Sequence, residues 1–157
     1  MRGHTLLWSV VAGLAGINPA AAQSHGAEGV AGTVVMVAVY VDGCIRTDQA
    51  LRDICERHSS HLPESFKARC TLPAQSFEQR TAAPYTQFQQ TYHAELEQQA
   101  TAISATQDKA ERAFNQQFAD VRAGKLSGLD LDSLNRELNE TCAVVENEWL
   151  PRMSKGR

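Results

Sequence analysis

The chain has 157 residues, of which 43% are hydrophobic, 6% aromatic and 21% charged. This length and composition indicate one globular domain and exclude both a disordered acidic tail and a membrane protein with several spans. The formal net charge of −3, from 15 basic and 18 acidic residues, excludes nucleic-acid binding through bulk positive charge.

The N-terminal segment, residues 1–22, has the pattern of a signal peptide. A basic start precedes an apolar run of twelve residues, which is too short to span a bilayer. Small residues at Ala20 and Ala22 fit the cleavage rule of export peptidases. We therefore expect a periplasmic or secreted protein that begins at Gln23, with residues 23–33 as a flexible, glycine-containing leader.

A second apolar run, Val30–Val41, also has only twelve residues and is predicted to be a core segment rather than a membrane span. Residues 34–41 are rich in valine and have strong β character. An isolated strand would leave its backbone unpaired, and the sequence offers no second β-rich segment to pair with it. A buried helix is therefore favoured over a strand.

Four cysteines lie in the mature part of the chain, namely Cys44, Cys55, Cys70 and Cys142. An even number in an exported chain predicts disulfides. On one helix, Cys44 and Cys55 would lie about 16 Å apart, whereas a disulfide needs Cα atoms within about 7 Å of each other. This distance excludes Cys44–Cys55 unless Asp42-Gly43 and Thr47 break the helix. Folding the first helix back along the long helix described below then favours Cys55–Cys70 together with Cys44–Cys142 over the remaining arrangement.

A metal site is the alternative for part of this set. Cys55, His58, His61 and Cys70 are residue types that a metal carrier or a metalloenzyme would use. They lack the paired spacing of structural zinc sites, so disulfides are favoured, and we predict no metal and no cofactor.

A long amphipathic helix is predicted from Pro84 to Ala123. Its apolar residues fall within about 60° of one line at 3.6 residues per turn, and glutamines cover much of the remaining surface. The stripe comprises Tyr85, Phe88, Tyr92, Leu96, Ile103, Ala110, Phe114, Phe118 and Val121.

A last helix is predicted to follow a short loop, with Gly124 as the C-cap before the loop and Asp130 as the N-cap after it. The short loop predicts antiparallel packing of the two helices. Pro151 is predicted to end this helix, which leaves residues 152–157 as a basic tail. The apolar stripe of the last helix comprises Leu131, Leu134, Leu138, Cys142, Val145 and Trp149.

Three weaker signals lie upstream of the long helix. Thr47 or Asp48 is predicted to cap a helix that begins there. Pro63 is predicted to open a short helical turn that reaches residue 69. Pro73 is predicted to start a helix that runs to Pro84 and kinks there.

Together these elements predict an all-α fold, a small disulfide-stapled helical bundle over residues 34–151 with one long amphipathic helix and an antiparallel C-terminal helix. No nucleophile elbow, zinc-protease motif, redox pair or haem motif is present in the sequence. We therefore expect a non-enzymatic protein that binds a protein or ligand, as an envelope accessory, inhibitor or chaperone-like factor.

The expected partner is another envelope or extracellular protein, with no nucleic acid and no stable membrane insertion once the signal peptide is removed. Self-association through an uncovered stripe of the long helix is a further possibility. The competing function is a metal carrier or enzyme that uses Cys55, His58, His61 and Cys70.

Overall fold

The structure is a computed structural model, and it describes residues 26–68, 70–123 and 131–155. The predicted signal peptide and the predicted caps Gly124 and Asp130 lie outside these ranges. The described ranges contain helices and connecting segments without a strand, which confirms the all-α fold with disulfides.

The helices are numbered in chain order. The first three are α1 (Gly26–Arg57), α2 (Glu64–Lys67) and α3 (Phe77–Thr91), with a 3₁₀ turn at Ser59–His61 after α1. Next come α4 (His93–Gln98), α5 (Ala100–Arg122) and α6 (Leu131–Val144), and a π-helical turn at Val145–Trp149 leads into α7 (Leu150–Ser154).

Helix α1 lies at the centre of the bundle, where α3, α4, α5 and α6 all pack against it. Residues 34–41 of this helix are apolar on every face, and Val34, Val37 and Val41 are fully buried. A helix that is hydrophobic all round needs protein on all sides, which explains its central position. The valine-rich segment 34–41 is therefore helical, as expected.

Two boundaries of α1 differ from the sequence predictions. The helix begins at Gly26, so residues 26–33 of the expected leader are helical. It also runs through the predicted N-cap at residues 47–48 without a break. Thr47 instead donates its hydroxyl hydrogen to the carbonyl oxygen of Gly43, at 2.9 Å within the helix, and Asp48 reaches across to α3.

The segment from Val30 to Arg57 is long and apolar enough, by length and composition alone, to cross a membrane. The core helix of a helical bundle passes the same test. Here the segment contains the fully buried Val34, Val37 and Val41, and its second half carries the ion pairs Asp42–Arg46 and Asp48–Arg52.

The predicted long helix is divided into α3, α4 and α5. The chain leaves helical geometry at Tyr92 (φ −111°, ψ 29°) and at Gln99 (φ −101°, ψ 5°). The amides of both residues still donate to the carbonyl oxygen four positions earlier. The helical hydrogen bonds therefore continue through both residues, although the backbone dihedral angles change there. All three helices contact α1.

Helix α3 starts later than Pro73 because Ser76 caps it. The Ser76 hydroxyl accepts from the Gln79 amide at 3.2 Å, and the Gln79 side chain accepts from the Ser76 amide at 2.9 Å. This reciprocal pair is a capping box. The helix then continues through Pro84 to Thr91, so Pro84 does not end it.

The C-terminal helix also continues past its proline. A proline has no amide hydrogen, so an α-helix loses a hydrogen bond there. The π-helical turn Val145–Trp149 precedes Pro151, and the Leu150 amide bonds to the carbonyl of Val145, five residues back. Residues 152–154 of the predicted tail are consequently helical, and α7 packs against α3. The C-terminal segment thus runs antiparallel to the α3–α5 series.

The core follows the predicted stripes where their side chains are described. It draws on α1, on the α3–α5 series and on the C-terminal helix, and the loop after α1 adds Leu62 and Phe66. Its buried members on the two predicted stripes are Phe88, Tyr92, Phe114, Leu138, Cys142 and Val145.

Candidate functional site

Two disulfides frame the candidate site. Cys44 of α1 is bonded to Cys142 of α6, with their Cα atoms 5.7 Å apart. Cys55, near the end of α1, is bonded to Cys70 in the segment before α3, with a Cα separation of 5.8 Å. This is the pairing that the helix geometry favours, and it fixes both α6 and residues 70–76 against α1.

The same bonds bear on the alternative metal site. Cys55 and Cys70 are brought together, but as a disulfide, so neither offers a thiolate to a metal in this oxidised structure. The His58 Nε2 atom lies 3.6 Å from an Asp53 carboxylate oxygen. The side chain of His61 lies outside what the structure describes. Within the described ranges, no group of three metal-binding side chains is present.

Asp48 is the central residue of the candidate site. It is only 1% exposed, although it carries a carboxylate. Its Oδ2 atom accepts from the Arg52 Nε at 2.9 Å and from the backbone amide of Phe77 at 3.1 Å. Phe77 is the first residue of α3, so the carboxylate lies at the positive end of that helix. Its Oδ1 atom is buried and has no hydrogen-bond partner among the described residues.

Two guanidinium groups hold the loop in front of α3. Arg52 Nη2 donates to the backbone carbonyls of Pro73 and Gln75, at 2.7 and 2.9 Å. Arg80 Nη1 donates to the same Gln75 carbonyl at 2.6 Å. An arginine that bonds backbone carbonyls fixes the path of an irregular segment, so the loop is held at its C-terminal end by these contacts and at its N-terminal end by Cys70.

Arg80 also joins α3 to the π-helical turn. Its Nε and Nη2 atoms donate to the two oxygens of Glu146, at 2.8 and 3.1 Å, in a bidentate pair. The hydrogen bonds to Glu146 raise the pKa of Arg80 above its ordinary value, which keeps the guanidinium charged throughout the accessible pH range. Both side chains are about three-quarters buried.

These groups surround a cavity of about 490 Å³ between α1, α6 and the loop, which we call the Asp48 cavity. Its volume lies within the range of roughly 300–1,000 Å³ that is typical of small-molecule sites. The polar side chains that line it are Asp48, Thr71, Arg80, Asn135, Asn139 and Glu146. The apolar wall consists of Ala68, Leu72, Pro73, Leu138 and Ala143.

Comparison with protein-family models, curated proteins and solved structures found no match to this chain.

A second hollow of about 560 Å³ lies between α1 and α5. Arg46 crosses it, with an ion pair to Asp42 at 2.9 Å and another to Glu111 at 3.4 Å. Burial raises the pKa of Asp42 although Arg46 opposes the shift. Asp42, Arg46 and Glu111 thus pair with one another, and none of the described residues that line this second hollow has a buried polar side-chain atom without a partner.

The sequence predictions placed the four cysteines in a site, together with His58 and His61 in the metal alternative, and missed the cavity. One signal was available, because Asp48 occurs at helical spacing on the same face as Cys44, Leu51 and Cys55. A carboxylate within a buried stripe requires partners, which marks the position as special. Arg80 and Glu146 are 66 residues apart, and no local pattern links them.

Proposed function

We propose that this is an exported, disulfide-stapled helical protein that acts by binding a small molecule in the Asp48 cavity. A single observation carries this proposal, namely a cavity of about 490 Å³ whose lining combines polar side chains with an apolar wall, as is typical of small-molecule sites.

Rigid surroundings support the same function. A binding site discriminates best when its walls are already in place, because ordering them on binding reduces affinity. The loop that forms one wall is tied by a disulfide at Cys70 and by two arginine side chains at Gln75. The opposite wall is α6, which is tied to α1 through Cys142.

Export is part of the proposal. Both disulfides belong to the kind that forms and persists in oxidising compartments, and the leader pattern of residues 1–22 agrees with a periplasmic or secreted location. N-terminal sequencing of protein recovered after export tests this part. The expected first residue is Gln23, and a protein that retains the apolar run of the leader would contradict it.

Thermal unfolding of the exported, oxidised protein in the presence of small polar solutes tests the binding function. The panel consists of amino acids, polyamines, sugars and carboxylic acids, each at millimolar concentration. A ligand of the native state raises the melting temperature by mass action. We expect at least one member of the panel to do so.

The matched variants are Ala143→Leu, which fills the cavity, and Ala102→Leu, which makes the same change on the exposed surface of α5. The stabilisation should persist in Ala102→Leu and disappear in Ala143→Leu. The proposal fails if no compound stabilises the protein, or if the stabilisation is the same in both variants.

A further inference from the structure

We propose that the Cys55–Cys70 disulfide is a redox modification site. A dithiol reduces it in the folded protein while Cys44–Cys142 stays oxidised, and loss of the bond opens one wall of the Asp48 cavity. The inference goes beyond the proposed function, because it concerns the covalent state of that wall and requires no bound ligand. The two can therefore fail separately.

The two disulfides differ in how far a reductant can reach them. Thiol–disulfide exchange requires a thiolate to approach one of the two sulfur atoms, so its rate depends on access. Cys44 and Cys142 are each only 3% exposed and belong to the buried core. Cys55 and Cys70 are partly exposed, and Thr71, next to Cys70, lies on the surface. A reductant therefore reaches Cys55–Cys70 in the native state, whereas Cys44–Cys142 becomes accessible only when the bundle opens.

The segment that carries Cys70 has further attachments on both sides of it. Before Cys70, the side chain of Phe66 is buried in the core. After Cys70, Arg52 donates to the backbone carbonyls of Pro73 and Gln75. None of these contacts involves sulfur, so they persist after reduction. The bundle therefore stays folded, and the stretch that is freed lies between Phe66 and Pro73.

The freed stretch forms part of the cavity wall. It contributes the lining residues Ala68, Thr71 and Leu72. Within the part of the chain that the structure describes, neither Thr71 nor Leu72 makes a hydrogen bond, so the adjacent disulfide at Cys70 is their nearest attachment to α1. Once that bond is reduced, both side chains can move away from the opposite wall, and the cavity opens to solvent on this side.

The reduction is a two-electron exchange with a dithiol. The first thiolate of the dithiol bonds to one sulfur of the Cys55–Cys70 pair and releases the other as a thiolate. The second thiolate of the dithiol then attacks the reductant's own sulfur in this mixed disulfide and releases the remaining cysteine. The dithiol leaves as a disulfide that has lost two electrons, and its two protons end on the Cys55 and Cys70 thiols. An external disulfide reverses the same steps.

The test measures the two disulfides separately in the oxidised, exported wild type. Dithiothreitol is added under native conditions, free thiols are trapped at intervals with excess N-ethylmaleimide, and the labelled cysteines are located by peptide mapping. We expect Cys55 and Cys70 to be labelled at least about tenfold faster than Cys44 and Cys142, because access controls exchange. Urea below the unfolding transition should accelerate only the slower reaction, which follows opening of the bundle.

Backbone and methyl NMR of the selectively reduced protein tests the opening of the wall. The ¹⁵N order parameters of Thr71 and Leu72 should fall, while those within α1 stay high. The methyl resonances of Leu138, which also lines the cavity, should shift, and reoxidation should restore every signal. Cys55→Ser with Cys70→Ser is the control, because dithiothreitol should then change none of these signals. The wild-type labelling rates decide the proposal if this variant does not fold.

Several outcomes would overturn the inference. Equal labelling rates for the two disulfides, or faster labelling of Cys44 and Cys142, would show that access does not distinguish them. Unchanged order parameters at Thr71 and Leu72 after selective reduction would show that the bond does not hold the wall. A loss of order throughout α1 would show unfolding rather than local opening. None of these results depends on whether a solute binds in the cavity, so the proposed function is tested independently.

Discussion

The two disulfides connect very different regions of the molecule. Cys44–Cys142, the core disulfide, joins two central helices across 98 residues of chain, and each of its cysteines is 3% exposed. Cys55–Cys70, the loop disulfide, spans 15 residues and ties an irregular segment to the end of α1. The same covalent bond therefore stabilises the whole bundle at one place and shapes one wall of a cavity at the other.

This contrast separates global stability from the geometry of the site. Around the core disulfide, stability comes mainly from buried apolar side chains such as Val41 and Val145. Around the loop disulfide, the contacts are charge-assisted hydrogen bonds of Arg52 and Arg80 to backbone carbonyls. Changes in the first region should unfold the protein, whereas changes in the second should loosen the cavity before the bundle unfolds.

The largest expected effect is the loss of the core disulfide. A double substitution, Cys44→Ala with Cys142→Ala, should lower the free energy of unfolding by about 4.7 kcal/mol, as the chain-entropy model gives for a loop near 100 residues. That is comparable to the whole stability of many domains. Urea unfolding of the variant and the wild type measures the difference. A smaller decrease in the free energy of unfolding than that caused by removing the loop disulfide would contradict this prediction.

Loss of the loop disulfide should have a smaller global effect and a larger local one. Cys55→Ser with Cys70→Ser should lower the free energy of unfolding by about 3 kcal/mol. Amide hydrogen exchange should rise first in residues 70–77, because their attachment to α1 then depends on the hydrogen bonds of Arg52 and Asp48 without a covalent link. Uniform acceleration of exchange across α1 and α6 would contradict the local role.

The capping box at the start of α3 is the next test on the loop side. Ser76→Ala should destabilise the protein by about 1 kcal/mol, since the hydroxyl satisfies the otherwise unpaired Gln79 amide. Ser104→Ala, at an exposed position inside α5, is the matched control and should change stability little. Thermal or urea unfolding measures both. Equal effects would show that the cap does not contribute.

The smallest predicted effect concerns Asp42, which lies two residues before Cys44. Burial raises its pKa, so the folded state binds a proton more tightly than the unfolded chain. Stability from this group is therefore greatest below the unfolded-state pKa and decreases as pH rises through the raised, folded-state pKa. Asp42→Asn removes this dependence, so relative to wild type it should gain stability as pH rises through that window. Unfolding curves of the variant and the wild type from pH 3 to 7 measure the difference in slope, and identical slopes would contradict this prediction.

The features that follow from helical periodicity could be predicted from the sequence. Apolar spacing predicted the helical fold and the buried faces of Phe88, Phe114 and Leu138, and helix geometry favoured the cysteine pairing that the structure contains. These features follow from the 3.6 residues per turn of a helix and from the limited reach of a disulfide. Both rules need only the spacing of residues along the chain.

Other features depend on contacts between distant residues and could not be predicted in the same way. The departures at Tyr92 and Gln99 follow the surface of α1, which the local sequence does not encode. The helix passes Pro151 through a π-helical turn, an exception to the rule that proline ends a helix. Ser76 with Gln79 was readable as a capping box, but the prolines nearby drew the predicted start to residue 73.

Asp48 shows why the candidate site was missed. An aspartate near a suspected helix start is usually an N-cap, and that local rule pointed to a surface role. In the structure, the Asp48 carboxylate instead accepts a hydrogen bond from the backbone amide of Phe77, the first residue of α3, which lies 29 residues further along the chain. The cavity arises from the meeting of α1, α6 and one loop, so it exists only in the assembled fold.

The two disulfides are nested, because the loop bond lies inside the segment closed by the core bond. During the proposed export, with the N-terminus emerging first, Cys44 meets Cys55 well before Cys142 is present. Oxidation at that stage would join the wrong pair and require thiol–disulfide exchange, which takes seconds to hours. An α1 helix that has already formed prevents this error, since it holds the two thiols about 16 Å apart along its axis. Formation of α1 before oxidation would therefore favour the native order of disulfide formation.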